Sequence, residues 1–440
     1  MTAASDTRIA AIRGRRVWDS RGRPTVEAEV HLAGGAIGRA IAPAGASTGS
    51  GEAIELRDGG ARLGGRDVTG AVAAVNGEIA RALSDCDAAD QAALDRRLID
   101  LDGTPQKSRL GGNALVAVSL ATLHAAAAAA RRPLWRYLLG GEAEAVLPLP
   151  EIQIFGGGAH AGRRVDIQDF MVMAPGARSF DEALEWTAEI YRAAGDMMAE
   201  AGLLQGVADE GGFWPAFPTN EAALDALMRA IERTGFMPGQ EIAISLDIAA
   251  SEFHVGGHYR LARDGRELDS DGMAEMLVGW LDRYPISSIE DPLAEDDPEG
   301  LRRFTQAVGD RVQIVGDDFL VTNAGRVKQA AAAGICNAVL VKPNQAGTVS
   351  EAKAAWGAAR AAGWGAIVSA RSGETEDLSI VHLAIGWGVP QLKVGSFARS
   401  ERMAKWNEAI RIEEALGPAA RFAGAAPLRR QNTSTGRERR

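Results

Sequence analysis

Five short apolar runs in this chain each carry a charge at their C-terminal end: Asp247 in EIAISLDIA, Glu290 in ISSIEDP, Asp317 in VQIVGDD, Lys342 in NAVLVKP and Lys393 in VPQLKVG. Apolar runs of this length, bounded by turn residues, read as strands buried on both faces. A charge at the end of such a strand is costly to bury alone, so each one demands a partner. Three acidic positions followed by two basic ones on successive strands read as one shared polar site. For any single acid, helix capping or pairing with a loop arginine is the alternative, and for either lysine a structural ion pair.

The five positions are spaced 43, 27, 25 and 51 residues apart, and the last interval holds a further strand, GAIVSARS, ending near Arg371. One strand-plus-helix unit takes roughly 25 to 40 residues, so a closed (β/α)8 barrel fits better than an open sheet. Amphipathic stretches such as SFDEALEWTAEIYRAAGDMMAEAG and EAALDALMRAIERTG alternate with the strands. From Leu147 onward the expectation is therefore parallel strands joined by crossover helices, with the chemistry at the strands' C-terminal ends. Residues 1–140 read as a separate α+β domain. In it IAAIRGRRVWD and TVEAEVHLAG form a strand pair around an SRGRP turn, and the small, hydroxylated APAGASTGSGE segment (about 42–52) is a mobile lid loop. The barrel is expected over 141–425, and a polar, arginine-rich tail over 426–440 reads as disordered.

Composition narrows the function classes. A net charge of −10 and a sequence pI near 5.3 argue against a nucleic-acid surface. Two cysteines, Cys86 and Cys336, are too few for a disulfide framework and are expected in ordinary helix or strand settings. No signal-like segment opens the chain, so a cytoplasmic location is expected. The alanine-rich stretch Ala114–Ala130 is shorter than a membrane span and reads as a tightly packed buried helix.

Asp247, Glu290 and Asp317 offer only hard oxygen ligands, which favours Mg2+ over zinc. Lys342 and Lys393 beside them suit proton abstraction next to a carboxylate, by a lysine whose pKa is lowered by cationic neighbours. ADEGGFWP adds Asp209 and Glu210, and HAGRRVDIQDF adds His160, Asp166, Gln168 and Asp169. GGGAHAG lacks the spacing of a dinucleotide-binding loop. Arg371 and Ser372, before a glycine at a strand end, suit a phosphate or carboxylate.

WDSRGRPTVE, AGASTGSGEAIELRDG, VADEGGFWP, LDIAASEF, SIEDPLAEDD, IVGDD, VKPNQAGTVSEA, SGETED and RSERMAKWNEAIRIEEALG occur in the order of the enolase family's motifs, and the chain resembles that family from Ile9 to Gly424. The resemblance implies an α+β domain packed on a modified barrel, a homodimer or larger homo-oligomer, and two Mg2+ ions. It implies that Asp247, Glu290 and Asp317 hold the first metal and that Ser47 helps hold the second. Lys342 is then the base at C2 of a 2-phosphoglycerate-type substrate and Glu210 the acid for the C3 hydroxyl, with Asp169 beside it. Lys393 contacts the carboxylate, Arg371 and Ser372 contact the phosphate, and His160 closes over the substrate.

The chain also departs from the family pattern. Ala370 stands for a histidine in SARSGETED, and Asp169 for a glutamate, a retreat of about 1.5 Å. Gly156, Ala159 and Arg163 alter NGGSHAGN to GGGAHAGR, and Ala44, Ala208, Trp214 and Phe397 replace serine, glycine, alanine and proline. These changes fall on the hydroxyl-leaving side and around the lid, whereas the acidic trio and both lysines are kept. Arg163 and Arg164 add charge for an extra anionic group, and Gln168 and Ala370 are expected to line the substrate. The pattern is similar to that of enolase-like carboxyphosphonoenolpyruvate synthases. A working glycolytic enolase and a non-catalytic binding protein on the same fold are the alternatives.

Overall fold

The computed structural model describes residues 6–141, 144–214 and 216–428. The N-terminal domain is a three-stranded antiparallel sheet, Ile9–Trp18, Pro24–Leu32 and Ile37–Ile41 in that order. It packs on the helix Gly112–Ala129, which is 83% buried. The small side chains of that helix let the sheet approach closely, so the stretch read from its alanines is a core helix. Cys86 and Cys336 lie in connections rather than in helices or strands, and both are free thiols. Cys336 has φ +60°, just past the Gly334 cap that ends the helix Ala324–Ala333.

Eight strands close the barrel: Leu149–Gly156, Asp169–Met173, Ala243–Asp247, Ile286–Glu290, Gln313–Gly316, Ala338–Val341, Gly365–Ser369 and Gln391–Gly395. Nearly all their residues are buried, which is why they read as continuous apolar runs. The crossover helices start on side-chain caps. Ser179, Thr219, Asp297 and Thr348 each accept from a backbone N–H three residues on, removing one orphan donor per helix.

The expectation of an all-parallel barrel fails at its beginning. Leu149–Gly156 runs antiparallel to Asp169–Met173, which in turn runs antiparallel to Ala243–Asp247; the remaining pairs are parallel. The physical reason is the short connection of residues 157–168, which is too short for a crossover helix and lets the chain double back. Two helices, Phe180–Glu200 and Asn220–Arg233, then follow in succession. The reversal has a direct consequence for the site. It puts the first residue of the second strand, Asp169, in register with Asp247, so that a strand start faces the same rim as the other strands' ends.

The two domains are joined by buried polar contacts. Lys107 pairs with Glu351 at 2.6 Å, and Ser119 and Asp95 accept from the backbone of Val349 and Ser350. Arg421–Phe422 pairs with Val146–Leu147, and the turn Ala426–Leu428 brings Leu428 against Leu149, Met173 and Ala243. The rest of the basic tail expected as disordered lies outside the described residues.

Candidate active site

The barrel's C-terminal rim and the lid frame a tight cavity of about 10 Å3, room for little more than one water, lined by Ser47, His160, Gln168, Asp169, Glu210, Asp247, Lys342, Ser369, Ala370, Arg371, Ser372 and Lys393. Strand geometry alone puts most of these there. Asp247 and Glu290 are the last residues of their strands, Asp317 and Lys342 immediately follow theirs, and Lys393 sits within Gln391–Gly395 rather than after it, projecting inward opposite Glu151.

The three metal-ligand candidates converge on the lysines. Lys393 Nζ donates to Asp247 Oδ2 at 2.9 Å and Glu290 Oε2 at 2.7 Å, and lies 3.4 Å from Asp169 Oδ2; Lys342 Nζ donates to Asp317 Oδ2. Burial on its own would raise Asp247, but the Lys393 ammonium holds it below the carboxylate range. Glu290 goes the other way, pushed well up by burial and then by Asp247. Gln168 Nε2 donates to Asp247 at 3.0 Å. The oxygens Gln168 Oε1 and Glu290 Oε1 are buried without a hydrogen-bond partner. Buried acceptors left unpaired are costly, and a hard cation among all-oxygen donors would satisfy them. These residues therefore fit a divalent metal.

The expectation of a lysine with lowered pKa is reversed. Burial would lower Lys342, and Arg371 and Lys393 act in the same sense, yet the surrounding carboxylates, Asp317 first and then Glu290, bring it above its ordinary value. Lys393 is raised well above its ordinary value, because Asp247 and Glu290 outweigh the cost of burial.

The acid side is built differently, from two loops. The connection 157–168 carries His160 in the short turn Gly158–Ala161, and the DEGG turn carries Glu210. His160 Nδ1 stands 3.5 Å from Glu210 Oε1, and its Nε2 stands 3.4 Å from Ser372 Oγ. Asp169 accepts through Oδ1 from Gln153 Nε2, while its Oδ2 has no hydrogen-bond partner. Burial pushes Asp169 up to about 6, with Glu210 adding to the rise and Lys393 opposing it. Burial would raise Glu210 as well, but His160, Arg402 and the two lysines bring it below its ordinary value.

Glycines at two positions make the Glu210 turn possible. Gly211 has φ +95°, and a Cβ there would lie 2.3 Å from Ala398 O; Gly395 has φ +120°, and a Cβ there would lie 2.7 Å from Glu210 O. Any side chain at either position would push Glu210 off the rim. From behind, Tyr191 Oη donates to Gly211 O at 2.9 Å, stacks on Phe213 at 4.3 Å and reaches Phe397 at 6.4 Å. Phe397, one of the departures, thus extends the aromatic brace behind this turn. Two others compensate each other: a Cβ added at Gly156 would lie 2.6 Å from the Ala208 Cβ, so only one of these positions can carry a side chain without rearrangement.

Some expected residues lie elsewhere. Arg163 is exposed and pairs with Glu252 at 2.8 Å, and Arg164 lies 5.3 Å over the Trp214 ring, so neither lines the cavity. The local reason is Arg163's left-handed backbone, φ +55°, in the turn after Gly162. Asp166 is structural, accepting from Ala262 N, Arg263 N and Asn220 Nδ2. Arg371 lines the cavity, but its guanidinium is held by Glu52 at 2.9 Å and Ser47 O at 3.0 Å, which ties the lid down.

Four residues beyond those singled out from the sequence complete the arrangement. Glu52 binds Arg371 and Gly49 N, and Gln345 donates to Asp317 at 2.8 Å and Glu52 at 3.2 Å. Gln153 joins Asp169 to Gly212 N, and the fully buried Arg402 donates to the carbonyls of Arg371, Ser372 and Val394. Glu52 and Gln345 sit in the lid and VKPNQAG motifs already recognised. Arg402 sits in the RSERMAKWNEAIRIEEALG motif, also recognised, whereas Gln153 carried no comparable signal, because it lies in an ordinary buried strand.

Among the described residues, the ligand atoms of His160, Asp169 and Glu210, and those of Asp291, Asp317 and Asp318, lie within 4.8 Å of one another. A family model for the enolase N-terminal domain matches residues 9–138, and one for the enolase C-terminal TIM barrel domain matches residues 144–431. The closed eight-stranded barrel, its rim of paired carboxylates and lysines, and these two matches along nearly the whole chain establish the protein as a member of the enolase family.

Proposed function

We propose that the protein is a Mg2+-dependent enzyme that removes the C2 proton from a 2-phosphoglycerate-type substrate, expels the C3 hydroxyl, and takes a substrate bulkier and more anionic at phosphorus than 2-phosphoglycerate. The specific reaction we favour is that of a carboxyphosphonoenolpyruvate synthase, in which the phosphorus bears a carboxyl group. Lys342 accepts the C2 proton, the electron pair forms the C2–C3 double bond, and the C3 hydroxyl leaves as water with a proton from the Glu210 and Asp169 side. Lys393 orients the substrate carboxylate, Arg371 and Ser372 hold the phosphoryl group, and Ser47 closes with the lid. A Mg2+ ion held by Asp247, Glu290 and Asp317 would supply Lewis-acid stabilisation of the enolate charge.

The observation that carries this reading is where the departures fall. Ala370, small and lining the cavity between Lys393 and Arg371, stands where the family pattern has an imidazole. Gly156, Ala208 and Trp214 lie at the two loops that carry His160 and Glu210, and Phe397 packs on Tyr191 behind the second. Among the ionic contacts on the strand side, only that of Lys393 with Asp169, at 3.4 Å, involves a departure. Extra positive charge from Arg163 and Arg164 does not support the reading, since both are engaged outside the cavity; the smaller side chain at Ala370 does.

Purified protein with Mg2+ is expected to convert the substrate carrying a carboxyl on phosphorus with kcat/KM about 100-fold or more above that for 2-phosphoglycerate, as for a site that loses a built-in polar contact. Equal or better dehydration of 2-phosphoglycerate would establish an ordinary enolase and overturn the altered-substrate reading. The complete loop and lysine set in one cavity is what favours that second reading.

A further inference from the structure

A second polar cavity, of about 210 Å3 against about 10 Å3 at the rim, lies where the lid, the N-terminal domain and the barrel meet. Gly51 and Ala53, at the end of the lid, form one wall; Lys107 of the N-terminal domain forms another, and Thr322, Asn323 and Gln345 of the barrel a third. It has room for several waters but falls short of the roughly 300–1,000 Å3 of drug-sized pockets, so its scale is that of a small metabolite.

We propose that this cavity is an effector site for a small anion, a carboxylate or phosphate ester of about three to six carbons, whose binding holds the lid closed. Charge selects the anion. Lys107 Nζ, on a side chain 9% exposed, donates to Glu351 Oε1 at 2.6 Å, which engages one of an ammonium's three N–H groups. Asn323 Oδ1 accepts from the backbone of Gly325 and Arg326, which leaves the Nδ2 donors available to a ligand. The first turns of two helices, Ala324–Ala333 and Val349–Ala361, also border the cavity, and each adds partial positive charge. Glu351 is the charge that opposes an anion; both its oxygens are already engaged, by Lys107 and by Thr348 Oγ1 at 2.8 Å.

The same walls reach the active site through single hydrogen bonds. Gln345 donates to Asp317 at 2.8 Å and to Glu52 at 3.2 Å, and its carbonyl accepts from Ala53 N at 2.8 Å. Thr322 Oγ1 donates to Gln345 Oε1 at 2.6 Å and accepts from Lys342 N at 2.9 Å. These contacts hold Val321 and Thr322 at φ +43° and +51° in succession, a left-handed backbone that β-branched residues rarely adopt. Because Gly51 and Ala53 complete the cavity, an anion bound there stabilises the closed lid by as much as it prefers the closed form. By linkage, a ligand at the rim that closes the lid tightens the anion by the same factor. Only this coupling to the reaction rests on the function proposed above; the anion site does not.

The test is a calorimetric titration of the full chain with inorganic phosphate and, separately, with malonate, glycerol being the neutral control. At least one anion is expected to bind, and which one does so identifies the headgroup. Lys107→Met should weaken that binding about 10-fold or more, the loss of a hydrogen bond to a charged group. Ala354→Trp, at an exposed position on the cavity's edge, should abolish it by filling the space, whereas Lys393→Met, at the barrel rim, should leave it in place. The bound anion should also slow nicking of the lid by a broad-specificity protease about 5-fold or more. Circular dichroism checks the fold of each variant, and if Lys107→Met does not fold, Ala354→Trp carries the same reading. The proposal is overturned if neither anion binds, if glycerol binds as well, if binding survives whichever cavity substitution folds, or if the anion leaves lid nicking unchanged. Failure of every 2-phosphoglycerate-type substrate with anion binding intact would instead count against the proposed reaction.

Discussion

The two sides of the cavity reach the same rim by different means. Asp247, Glu290, Asp317, Lys342 and Lys393 are carried by barrel strands and their immediate ends, with positions set by register. His160 and Glu210 are carried by loops whose positions depend on glycine conformations, an aromatic brace and an arginine stacked on a tryptophan. Asp169 belongs to both, a strand residue on the acid side. The five strand-side charges keep the family's residues, and most departures gather on the loop side, with Asp169 and Ala370 the exceptions at strand ends. A site assembled this way can change how a leaving group is handled without disturbing how an enolate is made.

The sharpest way to break this division is to remove one group from each side. Lys342→Ala should abolish C2 proton exchange, by about 10³-fold or more, the upper part of the range for a general base. Glu210→Gln should slow water loss by about 10²-fold or more while leaving exchange measurable. Deuterium uptake at C2, followed alongside product formation, checks both. Loss of exchange in both variants would mean that the two sides act as one unit.

A second test concerns what the strand side rests on. Its helix Ser379–Trp387 meets the N-terminal domain where His382 packs edge-on to His124 at 6.4 Å, with Asp377 and Glu408 the nearest acids. Burial, with His124 adding to it, lowers His382 to about 4 from an ordinary 6.5. The folded-state pKa is depressed, so the unfolded chain takes up the proton first. The contribution is complete above about pH 6.5 and is lost as pH falls through about 4, amounting to about 3 kcal/mol. Denaturant melts at pH 7 and pH 4.5 should show most of this loss in the wild type and less of it in His382→Gln.

The smallest effect sharpens the claim that the loop-side departures belong together. Gly156→Asn should cost about 1–3 kcal/mol through crowding against Ala208, and adding Ala208→Gly should recover most of it. Thermal melts of the two single variants and the double variant measure the coupling. Additive losses would show that the two positions changed independently.

Much of the strand side was legible in the sequence because buried strands announce themselves as apolar runs and a charge at their end stands out. The barrel followed from the spacing. The reversal of Asp169–Met173 did not, because an apolar run is the same in either direction, and only the 157–168 connection, too short for a helix, hinted at it. The loop side was legible through motif resemblance but not in its contacts. Arg163 looked like added charge for a ligand, yet a left-handed turn sends it to Glu252. Lys342 looked like a depressed lysine among cations, yet carboxylates distant in sequence and adjacent in space, Asp317 first and then Glu290, raise it. Such balances are set by distances that spacing alone does not contain.

The central claim, that enolate formation is kept while departure of the hydroxyl is altered, is tested most directly by incubating the protein with Mg2+ and 2-phosphoglycerate in deuterated water. The account predicts deuterium at C2 of recovered 2-phosphoglycerate well before phosphoenolpyruvate accumulates, and none in Lys342→Ala. Phosphoenolpyruvate forming as fast as deuterium enters, or exchange persisting in Lys342→Ala, would contradict it.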